Sequence, residues 1–395
     1  MRFSLFRNSY SPLDYLFLTV WVKFTLLDYL RVLIMHIPII NSLSNYVIPS
    51  IIIIVTLLAS KCLVKTIKPV DVLLYIAFIS IYLVNYIIYP QNTCFLDETT
   101  MPFIFSTIPY FFVGRIINYE RVAKPLNLLS IISVLCFAFL YFTRSAGEDS
   151  GESGSGMHAA YMLLPFIIVL FANIFTEKKL FPILIGLFSF FMLLSFGNRG
   201  AVLYLLIYIV FCLLNTLKSK NKRSIALILS ILFIFPIYYY FDLIIMGLYN
   251  IMDGLGLSVR IFEKIIEGDI ADSSGRDIIV SQLLGALKNQ PMGLGLLGDR
   301  AIVGVYAHNI FIELLVSFGY FLGSIISVLL ITIIVTAFKK SRNSNIHLFY
   351  VGAICFGFLP LLTSHSFLSY PNFWLFLGYT IQILTNDSLE NNNGK

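Results

Sequence analysis

Long apolar runs, each broken by a polar connection, dominate the chain. They fall at roughly 13–35, 45–60, 70–89, 101–114, 125–142, 158–175, 180–196, 200–217, 224–241, 310–337, 346–363 and 368–385. An α-helix needs about 20 apolar residues to cross a hydrocarbon core about 30 Å thick, and a helix satisfies all its backbone groups internally. The pattern predicts an all-α polytopic membrane protein of about twelve transmembrane helices. Lys23, Asp28 and Arg31 interrupt the first run, so that helix is tilted or its charges face the bundle interior.

Composition agrees. Of the 395 residues 58% are hydrophobic and 12% charged, and the mean hydropathy is +0.87. Soluble domains carry about 25% charged residues. The net charge of +6 therefore bears on orientation and gives no reason to expect nucleic acid as a partner. Arg2 and Arg7, Lys61 to Lys68, Arg115 to Lys124, Lys178 and Lys179, Lys218 to Arg223, and Lys339 to Arg342 mark every second connection as basic. That places these connections and both termini in the cytoplasm. The alternate connections carry Asp97 and Glu98, or Glu148, Asp149 and Glu152. No small-residue cleavage site follows the first run, so no removable signal peptide is expected. Cys62, Cys94, Cys136, Cys212 and Cys355 show no metal-ligand spacing and suggest neither a disulfide framework nor a zinc site.

One connection is far longer than the rest. Residues 242–309 form a large outer loop between the helices of 1–241 and those of 310–395, long enough to hold helices of its own. Its stretch SVRIFEKIIEGDI, 258–270, reads as an amphipathic surface helix. NQPMGLGLLGD, 289–299, reads as a turn or a flexible elbow. SAGEDSGESGSG, 145–156, is a second outer loop. No internal repeat is visible, so the inverted-repeat signature of many transporters is missing.

Three polar residues on the outer side are candidates for chemistry. Arg199, in SFGNRGAVL, sits at the membrane boundary, where it either snorkels to water or meets an anionic partner. Its neighbours Gly197 and Gly200 favour a close backbone approach. Arg276, in SSGRD, follows Gly275, and Ser273 or Ser274 could cap a helix starting there. It is either paired with Asp272 or Asp277, or set at a helix N-terminus suited to phosphate. His308, followed by Asn309, stands before an apolar run; one of the two caps that helix, or His308 is a general base. Glu313 would orient the ring or form a separate buried acid. Arg260 and Arg300 either guide substrate or lie on the headgroups. Two arginines and a histidine on one face suit a pyrophosphate leaving group and a hydroxyl acceptor. Asp269 and Asp272 look simply solvated, and no metal or other cofactor is expected.

The order SFGNRGAVL, SSGRD, PMGLGLLGD and AHNIFIELLVSFGYFLG, over residues 185–335, resembles the O-antigen polymerase and ligase superfamily. The resemblance implies a GT-C-like fold with one large helical periplasmic loop in the bacterial inner membrane. It also implies a metal-independent, inverting glycosyltransferase using glycans on undecaprenyl pyrophosphate. The family's essential arginines fall on Arg199 and Arg276, which would hold the pyrophosphate, and its histidine on His308, beside Asn309, which would deprotonate the acceptor hydroxyl. A regulator of polysaccharide chain length is the partner the family implies.

Ligases of the superfamily resemble a pattern in which His-Asn is followed, after nine residues, by Gly and, after two more, by Gly, Thr or Tyr. Here Gly319 fits, but Leu322 holds the last position and the glycine arrives at Gly323. That favours a polymerase over a ligase. A lipid-linked oligosaccharide flippase is the alternative of another class. It would place charges at mid-membrane on several helices, whereas here the spans after the first are almost free of charge.

Overall fold

The computed structural model describes residues 10–35, 37, 41–144, 155–177, 180–196, 198–217, 232, 235–236, 238–254, 275–342, 344 and 346–386. These are mostly helical, with no strand among them. In chain order the helices are α1 Pro12–Trp21, α2 Asp28–Met35, α3 Ser44–Thr66, α4 Pro69–Ile88, α5 Thr93–Pro102, α6 Ile108–Ile116, α7 Tyr119–Arg144, α8 Ser155–Glu177, α9 Leu180–Ser195, α10 Arg199–Thr216, α11 Phe241–Gly254, α12 Arg276–Asn289, α13 Gly298–Val303, α14 Ile310–Ser341, α15 His347–Ala353 and α16 Pro371–Thr385. The apolar run 224–241 and the stretch 258–270 fall largely or wholly outside the described residues, as does Arg260.

Among the described residues, four helical stretches are long and apolar enough to cross a membrane: Asn41–Thr66, Pro69–Ile88, Tyr119–Phe139 and Ile310–Ser341. Ile53, Ile54, Leu57 and Leu58 of α3, Leu83 and Ile87 of α4, and Val328 and Leu329 of α14 all point outward. A belt of exposed aliphatic side chains fits a hydrocarbon solvent and not water. The protein is an all-α membrane protein.

The chain divides into two units, Met1–Ser60 with Asn118–Ala271, and Lys61–Ile117 with Asp272–Lys395. The units cut across the linear order, since the stretch 242–309 is shared between them.

In the first unit, α1 and α2 are joined by a π-helical turn, Lys23–Leu27, where the interrupting charges of the first apolar run begin. Lys23 lies 4.9 Å from the centre of the Phe24 ring, a cation–π contact. Ser11 and Asp14 cap α1 reciprocally, and Asp14 also holds Arg121 at 3.3 Å. Asn198 caps α10, accepting from the Ala201 N–H at 3.1 Å.

In the second unit, α6 and α16 pack backbone to backbone, because Gly114 lies against Leu375 and Gly378 against Phe111. The Asp71–Arg115 ion pair, 2.9 Å, ties α4 to α6. The main irregularity is in α14, which breaks at Gly319, φ 79° and ψ 173°. The stretch 290–297 docks on that break. Leu294 donates to the Val316 carbonyl at 2.7 Å, and Tyr320 donates to the Pro291 carbonyl at 3.0 Å. Two backbone groups freed by the break are thus satisfied, as burial in an apolar setting demands. Asn92 of the preceding turn donates to the carbonyls of Leu294 and Leu296 at 2.8 and 3.0 Å. Asn85 of α4 accepts from the Leu296 N–H at 2.7 Å. Residues 293–299 are buried. Of the two readings, a turn or a flexible elbow, the glycine-rich stretch fits the turn: a buried elbow held by hydrogen bonds.

A side chain at Gly319 would place its Cβ 2.5 Å from the Met292 backbone, and one at Gly293 would meet the Gly319 nitrogen at 2.5 Å. Both glycines also have positive φ. Gly319→Ala and Gly293→Ala should each cost about 2–5 kcal/mol through left-handed strain and overpacking. Thermal unfolding of the detergent-solubilised protein checks this. A melting temperature equal to wild type in both variants would mean that elbow and break do not support each other.

Candidate functional site

The second unit brings Arg276, Arg300, His308, Asn309 and Glu313 into one neighbourhood, beside the elbow. α12 starts at Arg276, as its sequence implies, and its N-cap is Gly275 in the left-handed region, φ 66°. Ser273, Ser274 and Asp272 lie outside the described residues. Arg276 is exposed and makes no ion pair with Asp277.

Asn309, and not His308, caps α14: its side-chain oxygen accepts from the N–H groups of Phe311 and Ile312 at 2.9 and 3.3 Å. That frees His308 from the capping role. His308 itself has φ 55°, and Leu297, at the other end of the 297–308 segment, has φ 59°. A left-handed conformation at a bulky residue costs about 1–3 kcal/mol and persists only where surroundings enforce it. Asp299 is part of that enforcement. It is 1% exposed, and its carboxylate accepts from the N–H of Arg300 and of Ala307, the residue before His308, each at 2.9 Å. Burial pushes the Asp299 carboxyl up, against these bonds and the Arg300 charge, which pull it down.

The His308 ring is half-buried, and its Nδ1 has no hydrogen-bond partner among the described residues. Its centre lies 4.1 Å from that of Tyr306. Burial, and then the Arg276 charge, lower its pKa from 6.5 to about 4. The imidazole is thus neutral at neutral pH, with a nitrogen able to accept a proton. The Arg276 effect also places that guanidinium within electrostatic reach of the ring.

Glu313 does not orient His308; it is the separate buried acid. It is 2% exposed, and its carboxylate accepts from the Ser366 hydroxyl and, at 3.2 Å, from the Phe367 N–H. Arg300, half-buried at the start of α13, has no ion pair among the described residues.

Arg199 belongs to the first unit. As the first residue of α10 it lies over the Phe241 ring, 5.5 Å from its centre. The close approach expected at Gly200 is present, since a Cβ there would stand 2.5 Å from the Tyr161 hydroxyl.

Sequence reasoning missed Asp299, Tyr306, Ser366, Asn85 and Asn92. An Asp just after the glycine-rich elbow was the available signal for the first; no pattern marks the others. Comparison with protein-family profiles, with curated proteins and with solved structures finds no match.

Removing the Arg276 charge should raise the His308 pKa, while burial still holds it below 6.5. Diethyl pyrocarbonate reacts with neutral imidazole, so its rate at His308, followed by peptide mass spectrometry against pH, reports the titration. The midpoint should lie near pH 4 in wild type and higher in Arg276→Gln. A wild-type midpoint near 6.5, or one unmoved by the substitution, would contradict this electrostatic account.

Proposed function

We propose that the protein is an O-antigen polymerase of the bacterial inner membrane. It would transfer a glycan from undecaprenyl pyrophosphate to the next lipid-linked repeat unit at the periplasmic face. The observation that carries the reading is a neutral histidine whose buried ring nitrogen has no hydrogen-bond partner among the described residues, beside an arginine that makes no ion pair among them. Elsewhere in the chain Arg115 and Arg121 are held by Asp71 and Asp14, and Lys340 by the Leu384 carbonyl. In this reading Arg276 and Arg300, which make no ion pair among the described residues, would receive anions from outside the chain.

In this reaction the acceptor hydroxyl gives its proton to His308 as its oxygen attacks the anomeric carbon. The bond from that carbon to the pyrophosphate oxygen breaks, and in-line displacement inverts the configuration. The departing pyrophosphate carries away the electron pair, and its developing charge meets the Arg276 and Arg300 guanidinium groups, a role a metal fills in other sites. Pyrophosphate beside Arg276 would also offset the charge that depresses the His308 pKa, making the base stronger when the donor is bound. The polymerase reading is favoured over a ligase by Leu322, which stands where the ligase pattern has Gly, Thr or Tyr.

A general base contributes about 10²–10⁴-fold to rate, so His308→Ala should lose transfer by that factor. The test is a strain lacking the gene, complemented at matched protein levels, with surface glycan resolved by length. The gene-deleted strain should show core capped by a single repeat, wild type should restore a ladder, and His308→Ala should remain at one repeat. Bare core with long lipid-linked chains would instead identify a ligase. Bare core with no periplasmic glycan would identify a transporter, and the proposal would fall.

A further inference from the structure

The connection between α15, with the helical turns that follow it, and α16, residues 363–370, reads TSHSFLSY. It is clasped to the segment bearing His308 at three points. Tyr306 donates its hydroxyl to the Ser364 carbonyl at 2.6 Å. Asn309 donates to the Leu362 carbonyl at 3.4 Å. Glu313 accepts from Ser366 and Phe367. The hydrogen bonds all lie around one residue, since Tyr306, Asn309 and Glu313 bracket His308.

Within this loop His365 is half-buried and lies flat on Tyr370, ring centres 4.2 Å apart and planes 6° apart. Tyr370 is itself fixed, donating its hydroxyl to the Phe356 carbonyl at 2.7 Å. The loop backbone is fixed as well, because Trp374 donates to the Phe367 carbonyl at 2.6 Å. Next to the candidate base there is thus a hydrogen-bonded loop with an imidazole, four serine and threonine hydroxyls and two aromatic rings, and no charged residue. Charged groups suit the pyrophosphate of a donor; uncharged hydroxyl, imidazole and aromatic groups suit a sugar, whose hydroxyls need directional partners and whose ring faces pack on planar groups.

We propose that the 363–370 loop is a wall of the same site, and that His365 is a specificity-determining residue that binds the acceptor sugar whose hydroxyl reaches His308. The inference rests on the glycosyl-transfer reading above.

The test uses the full-length protein in nanodiscs with lipid-linked single repeats as substrate, and three variants: His365→Ala, His365→Phe and His308→Ala. Loss of one hydrogen bond to the sugar should raise the KM for acceptor about tenfold in His365→Ala, with a smaller change in kcat. His365→Phe, which keeps a ring on Tyr370, should keep the melting temperature yet show the same raised KM. A wild-type KM in His365→Phe would show that the ring only braces the loop, and would overturn the proposal. So would a loss in His365→Ala confined to kcat, or no change at all.

A second measurement does not depend on transfer. A membrane-impermeant maleimide labels His365→Cys, in a Cys94→Ser background, in cells that make the lipid-linked repeat and in cells that cannot. Labelling should slow at least several-fold when the repeat is present. Equal rates would overturn the sugar contact even if the polymerase reading held. Protection in a protein that forms no ladder would keep the sugar contact while removing the polymerase reading.

Discussion

The rest of the second unit depends on the fit of one glycine elbow into one helix break. Gly319 opens α14, which strands backbone groups in an apolar setting, and the elbow answers with the hydrogen bonds between Leu294 and Val316 and between Tyr320 and Pro291. Because the contact is backbone on backbone, neither Gly293 nor Gly319 can carry a side chain there. The elbow in turn is gripped by Asn85 and Asn92, and it leads into α13 and Asp299. From Asp299 the constraint passes to Ala307 and fixes the turn that presents His308. A chain of bonds therefore runs from a helix break to the orientation of one imidazole.

That imidazole is interesting for what it lacks. The buried carboxylates nearby are spoken for, Asp299 by two backbone N–H groups and Glu313 by Ser366 and Phe367. His308 keeps a nitrogen with no partner among the described residues, and a strained backbone. A structural histidine would normally satisfy that nitrogen, since burying an unpaired polar group costs about 1–3 kcal/mol. Strain and an unsatisfied buried group at one residue are the combination found where a ligand completes the arrangement. Arg276 and Arg300, in the same unit, make no ion pair among the described residues, which is consistent with the anionic ligand proposed.

Much of the secondary structure was legible because the solvent is simple. A bilayer admits long apolar helices and little else, so the longer described helices fall on the apolar runs, while α5, α11, α12 and α13 lie largely or wholly outside them. Local capping chemistry was legible in part: α12 starts at Arg276 as expected, but Gly275 and not Ser273 or Ser274 is its N-cap, and of His308 and Asn309 it is Asn309 that caps α14. The break in α14 was not legible, because Gly319 sits in an otherwise unremarkable apolar run and its partner lies some 25 residues earlier. The docking of 290–297 was hidden for the same reason, since the groups that grip it, Asn85 and Asn92, are about 200 residues away. Of the candidate site, His308, Arg276, Arg300 and Glu313 were visible as polar residues out of place. Asp299 and the 363–370 loop were not, because their roles come from tertiary contacts alone.

The central proposal is that His308, with Arg276 and Arg300, binds a pyrophosphate-linked substrate. The most direct measurement is a cryo-EM structure of the full-length protein with undecaprenyl pyrophosphate. The account predicts pyrophosphate density in contact with Arg276 and Arg300, with the His308 ring facing the space an acceptor hydroxyl would occupy. Pyrophosphate bound away from both arginines, or His308 Nδ1 hydrogen-bonded to a protein group in the complex, would contradict it.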